Sequence, residues 1–125
     1  MILDTCALLW LAAGSKKLSR ATIKAIDEAP AVYVSTISGF EIALKVRNGK
    51  LELSCPVTNW FKQAVEHHGL TVLSLDVDVC ITSADLPAIH DDPFDRFIIA
   101  AAKLHDLTVV TADEHFEEYG LTVIC

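Results

Sequence analysis

Apolar residues fall along this chain in short blocks, and the spacing inside the blocks alternates between two periods. Residues 1–3, 31–35, 71–75, 108–111 and 121–124 are brief runs rich in Ile, Leu, Val, Tyr and Thr, which predicts strands. The intervening segments carry apolar residues at helical spacing. Residues 5–12 present Leu8, Leu9, Trp10 and Leu11 before Gly14 breaks the run, and Ser19 caps a second helix with Ile23, Ile26 and Ala29 on its inner face. Arg20, Lys24, Asp27 and Glu28 form the outer face, and Pro30 ends it. A third helix covers residues 37–48, with Ile42, Ala43 and Val46 periodic and Gly49 as its stop. Pro56 opens another, running through Trp60, Phe61, Ala64 and Val65 to Gly69, and residues 78–86 form the next. Asp92 caps the most apolar helix, which starts at Pro93, where a missing N–H costs nothing, and continues through Phe94, Phe97, Ile98 and Ala101. Residues 113–119 make a last short helix, while 51–53 are too few to classify.

Helices separate every pair of strands, so two-residue hairpins are excluded. Right-handed crossovers then give an α/β fold, a five-stranded parallel sheet covered by helices on both faces. At 125 residues the expectation is a single domain spanning 1–125. The chain is 52% hydrophobic with a mean hydropathy of +0.40, yet charged residues interrupt each apolar run before a bilayer-spanning length is reached. With no signal-like leader and no CxxC spacing among Cys6, Cys55, Cys80 and Cys125, the reading is a reduced, cytoplasmic protein without a membrane partner. Cys6 and Cys80 are read as small core filler. The net charge of −7 opposes broad attraction to nucleic acid, although acidic charge gathered around a cation would leave Lys45, Arg47, Lys50 and Arg96 as a local basic rim.

Chemistry is suggested by where the carboxylates stand. Asp4, Glu41 and Asp113 fall where a strand hands over to a helix, and Asp95 lies in the first turn of the helix capped by Asp92. Each has a plain structural role available. Asp4 can cap a helix, Ser38-x-x-Glu41 fits a capping box, and so does Thr111-Ala112-Asp113-Glu114. Together they mean more, because the carboxyl ends of parallel strands meet at one edge, where ligands bind. Anions gathered there repel unless a cation lies between them, and oxygen-only ligands suit Mg²⁺ or Mn²⁺. His67 and His68 are adjacent and His90, His105 and His115 scattered, so they are read as surface or supporting residues and not as a zinc site. No nucleophile elbow, phosphate loop or dinucleotide fingerprint appears.

The motifs Ile2-Leu3-Asp4-Thr5, Ser38-x-x-Glu41-Ile42-Ala43 with Lys45 and Lys50-Leu51, His90-x-Asp92-Pro93-Phe94-Asp95-Arg96 and Thr111-x-Asp113-x-x-Phe116 resemble the PIN domain. The resemblance covers nearly the whole chain and points to the VapC-like toxin ribonucleases of type II toxin–antitoxin pairs. It implies that Asp4, Glu41, Asp95 and Asp113 hold Mg²⁺ or Mn²⁺ and hydrolyse RNA phosphodiesters, with Asp113 ranked below the other three. It also implies a cognate antitoxin, a homodimer, and contacts from Lys45 and Arg96 to substrate or antitoxin. A PIN fold kept only for binding, with cleavage lost, is opposed by the presence of all four acids, and two further alternatives stand beside it. One is a solitary RNA-processing PIN nuclease; the other is a Mg²⁺-binding receiver-like signalling module, opposed by the single acid in Leu3-Asp4-Thr5 and by a C-terminus without lysine.

Overall fold

The computed structural model describes residues 1–125. The chain runs β1 (Ile2–Leu3), α1 (Thr5–Ala13), α2 (Arg20–Glu28), β2 (Tyr33–Ser35), α3 (Thr36–Arg47), α4 (Val57–His67), β3 (Thr71–Leu73), α5 (Val77–Asp85), α6 (Pro93–His105), β4 (Val109–Val110), a 3₁₀ turn (Glu114–Tyr119) and β5 (Val123–Ile124). The strands form one parallel sheet in the order β3-β2-β1-β4-β5. Ile2 pairs with Tyr33 and Val109, and Leu3 with Val34 and Val110, so the first strand is the middle of the sheet. From it the chain winds outward one way through β2 and β3 and then the other way through β4 and β5. A receiver-like sheet sets its third strand beside its first, whereas β4 holds that place here.

Strand alternation sorts the core into two halves. Ile2 and Val109 face a layer formed by α5, α6 and the 3₁₀ turn, where Ile98, Ile99, Ala102 and Phe116 are fully buried. Leu3, Val34 and Val110 face the opposite layer of α1, α2 and α4, with Ala7, Leu8, Ile26 and Ala64. Helix α3 lies across the junction, giving Ile37 to the first half and Ile42 to the second. A strand only two residues long survives because both its faces are covered and its flanks extend the ladder. The amide of Ile2 donates to Thr108 O at 2.8 Å and that of Asp4 to Val110 O at 3.1 Å.

The predicted elements are all present, with ends that local side chains decide. β3 stops at Leu73, where the Thr36 hydroxyl takes the carbonyl at 3.2 Å and Asp76 begins to cap α5. The capping box expected at Ser38 and Glu41 does not form. Helix α3 starts directly from β2, capped by Ser35, whose hydroxyl accepts from Ile37 N at 3.1 Å. Ser38 is therefore inside the helix and fully buried, and accepts from the Thr5 hydroxyl at 2.9 Å. Glu41 sits in the second turn, not at the strand end, and so has no cap to serve. The core-filler reading of Cys6 and Cys80 is also corrected, since both are exposed: α1 turns Ala7, Leu8 and Leu11 inward, and α5 turns Val79 and Ser83.

Ile98→Ala is expected to lower stability by about 2–5 kcal/mol, the cost of a cavity in a packed core, because the side chain is fully buried. Lys24→Ala, which removes an exposed 3.9 Å ion pair with Glu28, is expected to cost under about 0.5 kcal/mol. Urea unfolding midpoints at constant slope check both, and equal shifts would contradict the assigned core.

Candidate functional site

The four acids named from the sequence line one cleft of about 360 Å³ at the carboxyl edge of the sheet, between β1 and β4. Asp4 follows β1 and caps α1, with Oδ1 accepting from Ala7 N at 2.7 Å, while Oδ2 accepts from the Thr111 hydroxyl. That hydroxyl in turn accepts from Asp113 N at 3.0 Å, so the ends of the two central strands are tied together. Asp113 caps the 3₁₀ turn through Oδ1, which accepts from His115 N at 2.9 Å. Asp95 enters from the first turn of α6, held by Asp92 Oδ1, which accepts from both Phe94 N and Asp95 N. Glu41 reaches in from α3 with Oε2 3.5 Å from Lys45 Nζ, and its Oε1 is buried with no hydrogen-bond partner.

Electrostatically the cleft is short of positive charge. Burial raises the Asp95 pKa from 3.8 to about 7, assisted by Asp92, Asp4 and Glu41 and opposed by His90. Burial raises Asp4 as well, even though it accepts hydrogen bonds from Thr111 and Ala7. Asp113 moves the other way. Its slight burial would lift it, but the His115 amide and the His90 ring outweigh that and hold it below the ordinary carboxylate value. A buried, unpaired carboxylate oxygen costs on the order of 1–3 kcal/mol or more when its group is charged, so Glu41 Oε1 is the clearest deficit in the molecule. The donor set matches what a hard divalent cation takes. A larger groove of about 490 Å³ between α3, α4 and β3 is lined by Phe40, Phe61, Val57 and Val72 and offers no comparable chemistry.

The remaining sequence-named residues divide. Lys45 lines the cleft as expected. Arg96 does not: it turns away to clasp backbone, donating from Nη2 to Ser83 O at 2.8 Å and Leu86 O at 2.9 Å, and from Nη1 to Pro87 O at 3.0 Å and His90 O at 3.2 Å. Its neighbours on the helix conceal this in the sequence, since the acceptors are carbonyls of a distant loop. Arg47 and Lys50 are exposed and stand apart from the cleft lining. Sequence reasoning set His90 among the supporting histidines without giving it a place. Its Nε2 lies 2.8 Å from Asp113 Oδ2 and 3.0 Å from Asp95 Oδ2. Its position two residues before the Asp92 cap was the available signal.

Comparison with known proteins agrees with this geometry. The family model described as PIN domain matches residues 1–121. The chain is 32% identical over 120 residues to a protein of Mycobacterium tuberculosis named Ribonuclease VapC22, covering 95% of this chain and 91% of the relative. Among solved structures, FitAcB from Neisseria gonorrhoeae superposes with a TM-score of 0.66 at 24% identity, covering 99% of this chain and 96% of that one. VapBC2 from Rickettsia felis, bound to a DNA fragment from their promoter, superposes with a TM-score of 0.73 at 13% identity, covering 98% and 95%. At those identities the two structures speak for the fold alone.

The raised Asp95 value has a consequence for stability. The folded state holds a proton on Asp95 from its ordinary 3.8 up to about 7, so this contribution is complete below the lower value and is lost as pH rises through the upper one. In EDTA, wild type is expected to lose stability across that window relative to Asp95→Asn, which keeps the shape without the charge. Thermal unfolding of both proteins from acid to pH 8 measures the difference, and parallel curves would contradict the crowded-cleft electrostatics.

Proposed function

The chain belongs to the PIN-domain family, and on that ground we propose that it is a Mg²⁺- or Mn²⁺-dependent endoribonuclease serving as the toxin of a toxin–antitoxin pair. The observation that carries the reading is Glu41 Oε1, a buried carboxylate oxygen without a partner, in a cleft where burial raises both Asp4 and Asp95. Asp4, Glu41 and Asp95 would hold the cation, with Asp113, the most exposed of the four, as the weaker fourth member. All are hard oxygen donors, the chemistry Mg²⁺ and Mn²⁺ take in preference to zinc. When bound, such a cation lowers the pKa of a water and offsets charge on the phosphate oxygens.

The protein's own groups supply the rest. Asp4 and Asp113 are braced against one another through Thr111, which fixes the depth of the cleft. Asp92 stiffens the turn that carries Asp95, so the carboxylate arrives on a rigid helix start and not on a loop. The Lys45 ammonium, two-thirds covered beside Glu41, faces the cleft where a non-bridging phosphate oxygen would lie and can donate to it. Of the nucleophile types in the lining, the Thr5 hydroxyl donates to Ser38, and the Cys6 thiol is held above its ordinary pKa by desolvation and by Asp4. Neither is activated, which suits direct attack by water and products with a 3′-hydroxyl and a 5′-phosphate. Because the net charge is −7, general attraction cannot bring RNA to the surface, and recognition falls to local contacts around the cleft.

Ribonuclease VapC22 supports RNA as the substrate, and the resemblance to VapC-like toxins carries with it a cognate antitoxin as protein partner. A homodimer and a cytoplasmic location belong to the same reading; no helix is long and apolar enough to cross a membrane. The single-domain expectation for residues 1–125 is kept with it.

EDTA is expected to abolish cleavage of single-stranded RNA and Mg²⁺ or Mn²⁺ to restore it. Asp4→Asn and Asp95→Asn are each expected to lower kcat on the order of a hundredfold or more, the scale of losing one preorganised electrostatic group at a reacting centre. An Asp95→Asn protein as active as wild type would sink the assignment. Expression of the wild-type chain alone is expected to slow bacterial growth and Glu41→Gln to relieve it, scored by growth curves after induction; equal growth would remove the toxin role while leaving the nuclease reading to the cleavage assay.

A further inference from the structure

The loop between α5 and α6 carries an imidazole that the carboxylate chemistry leaves without a task. We propose that His90 is a positioning residue, an imidazole whose Nε2–H clamps Asp113 and stands against Asp95, and that it is not itself a ligand of the cation. The inference rests on the cleft being the cation site proposed above.

At first sight the geometry suggests the opposite. Ligand atoms of His90, Asp95 and Asp113 lie within 4.8 Å of one another, a mixed nitrogen and oxygen set of the sort softer metals take. The other ring nitrogen decides the matter. Asp92 N–H donates to His90 Nδ1 at 3.2 Å, so Nδ1 presents a lone pair. With Nδ1 accepting, the ring proton resides on Nε2. Nε2 has no lone pair left for a metal and instead donates to Asp113 Oδ2 at 2.8 Å, with Asp95 Oδ2 beside it at 3.0 Å as a charge contact. Moving the proton to Nδ1 would set two N–H groups against each other. One backbone amide, that of the residue capping α6, thus chooses the role of the ring.

The ring is also held in place from several sides. His90 N donates to Tyr119 Oη at 2.8 Å, and that hydroxyl donates to Pro87 O at 2.8 Å. Arg96 donates to the carbonyls on both sides of the loop, at Pro87 and His90. The imidazole packs edge to face on Phe116, with centroids 6.1 Å apart, and against His115 at 5.6 Å. The clamp engages Asp113 Oδ2, and the ring meets Asp95 at Oδ2 without contacting its Oδ1. Hydrogen-bonded partners of this sort orient ligating carboxylates, and their loss typically lowers metal affinity by about 10–100-fold.

The test reads the ring and the ion separately, without RNA. A long-range ¹H–¹⁵N correlation spectrum of wild type in EDTA at pH 8 is expected to show His90 as the Nε2–H tautomer, retained with saturating Mg²⁺. Calorimetric titration with Mn²⁺ is expected to show His90→Ala binding about 10–100-fold more weakly than wild type. His90→Gln, whose amide nitrogen can donate in place of Nε2, is expected to recover most of that loss. An Nδ1–H tautomer in EDTA, a ligation shift of Nε2 on adding Mg²⁺, a His90→Gln protein as weak as His90→Ala, or a His90→Ala protein that binds Mn²⁺ as tightly as wild type would each overturn the clamp while leaving the cation site standing. Wild type that binds no Mn²⁺ would remove both readings together.

Discussion

Crowding carboxylates into one partly buried cleft is the constraint around which this molecule is arranged. Asp4 and Asp95 are costly there, through burial first and neighbouring charge second, as the rise of Asp95 to about 7 records. Such an arrangement persists only where the surrounding structure over-determines it. Two buried layers, one on each face of the sheet, press on strands of two or three residues and hold their carboxyl ends in register. The central strand is fully buried at both Ile2 and Leu3, so the first acid in the chain has no freedom to retreat from the others.

Capping and chemistry are usually weighed as rival explanations of an acidic residue at a helix start. Here they share the same side chains, because a carboxylate has two oxygens. Asp4 uses Oδ1 on the first turn of α1 and turns Oδ2 to Thr111; Asp113 uses Oδ1 on the 3₁₀ turn and turns Oδ2 to His90. The helix starts thereby aim the acids, and the backbone amides that fix them also lend partial positive charge. Glu41 is the exception, standing in the second turn of α3 with one oxygen on Lys45 and the other on nothing. The residue with no local duty is the one whose burial demands an outside partner.

Arg96 shows how a charge beside a site can serve it without entering it. Its guanidinium gathers carbonyls from the end of α5 and from the following loop, with Tyr119 closing the other side. The loop that leads into α6 is fixed as a result, and with it the direction of the His90 ring. A planar fork with several donors suits this work better than a lysine, which has one point of charge.

Sequence alone determined the class of fold and the membership of the cleft. The alternation of short β-branched blocks with helical-period blocks points to a parallel sheet, in which Asp4 and Asp113 are legible as strand-end acids that share one edge. Glu41 and Asp95, both on helices, are legible from the motifs around them. The start of α3 was not legible: Ser35 and Ser38 both precede acceptable first turns, and only the burial of Ser38 against Thr5 chooses between them. Nor was the exposure of Cys6 and Cys80, where neighbouring Ala7 and Val79 compete for the same inward direction. The parts played by Arg96 and His90 depend on carbonyls and carboxylates brought from other elements, as when Tyr119 meets Pro87 across the fold. Periodicity and order act along the chain and survive in its sequence, whereas a hydrogen bond between distant residues exists only after the layers have packed, so those roles were decided by tertiary structure.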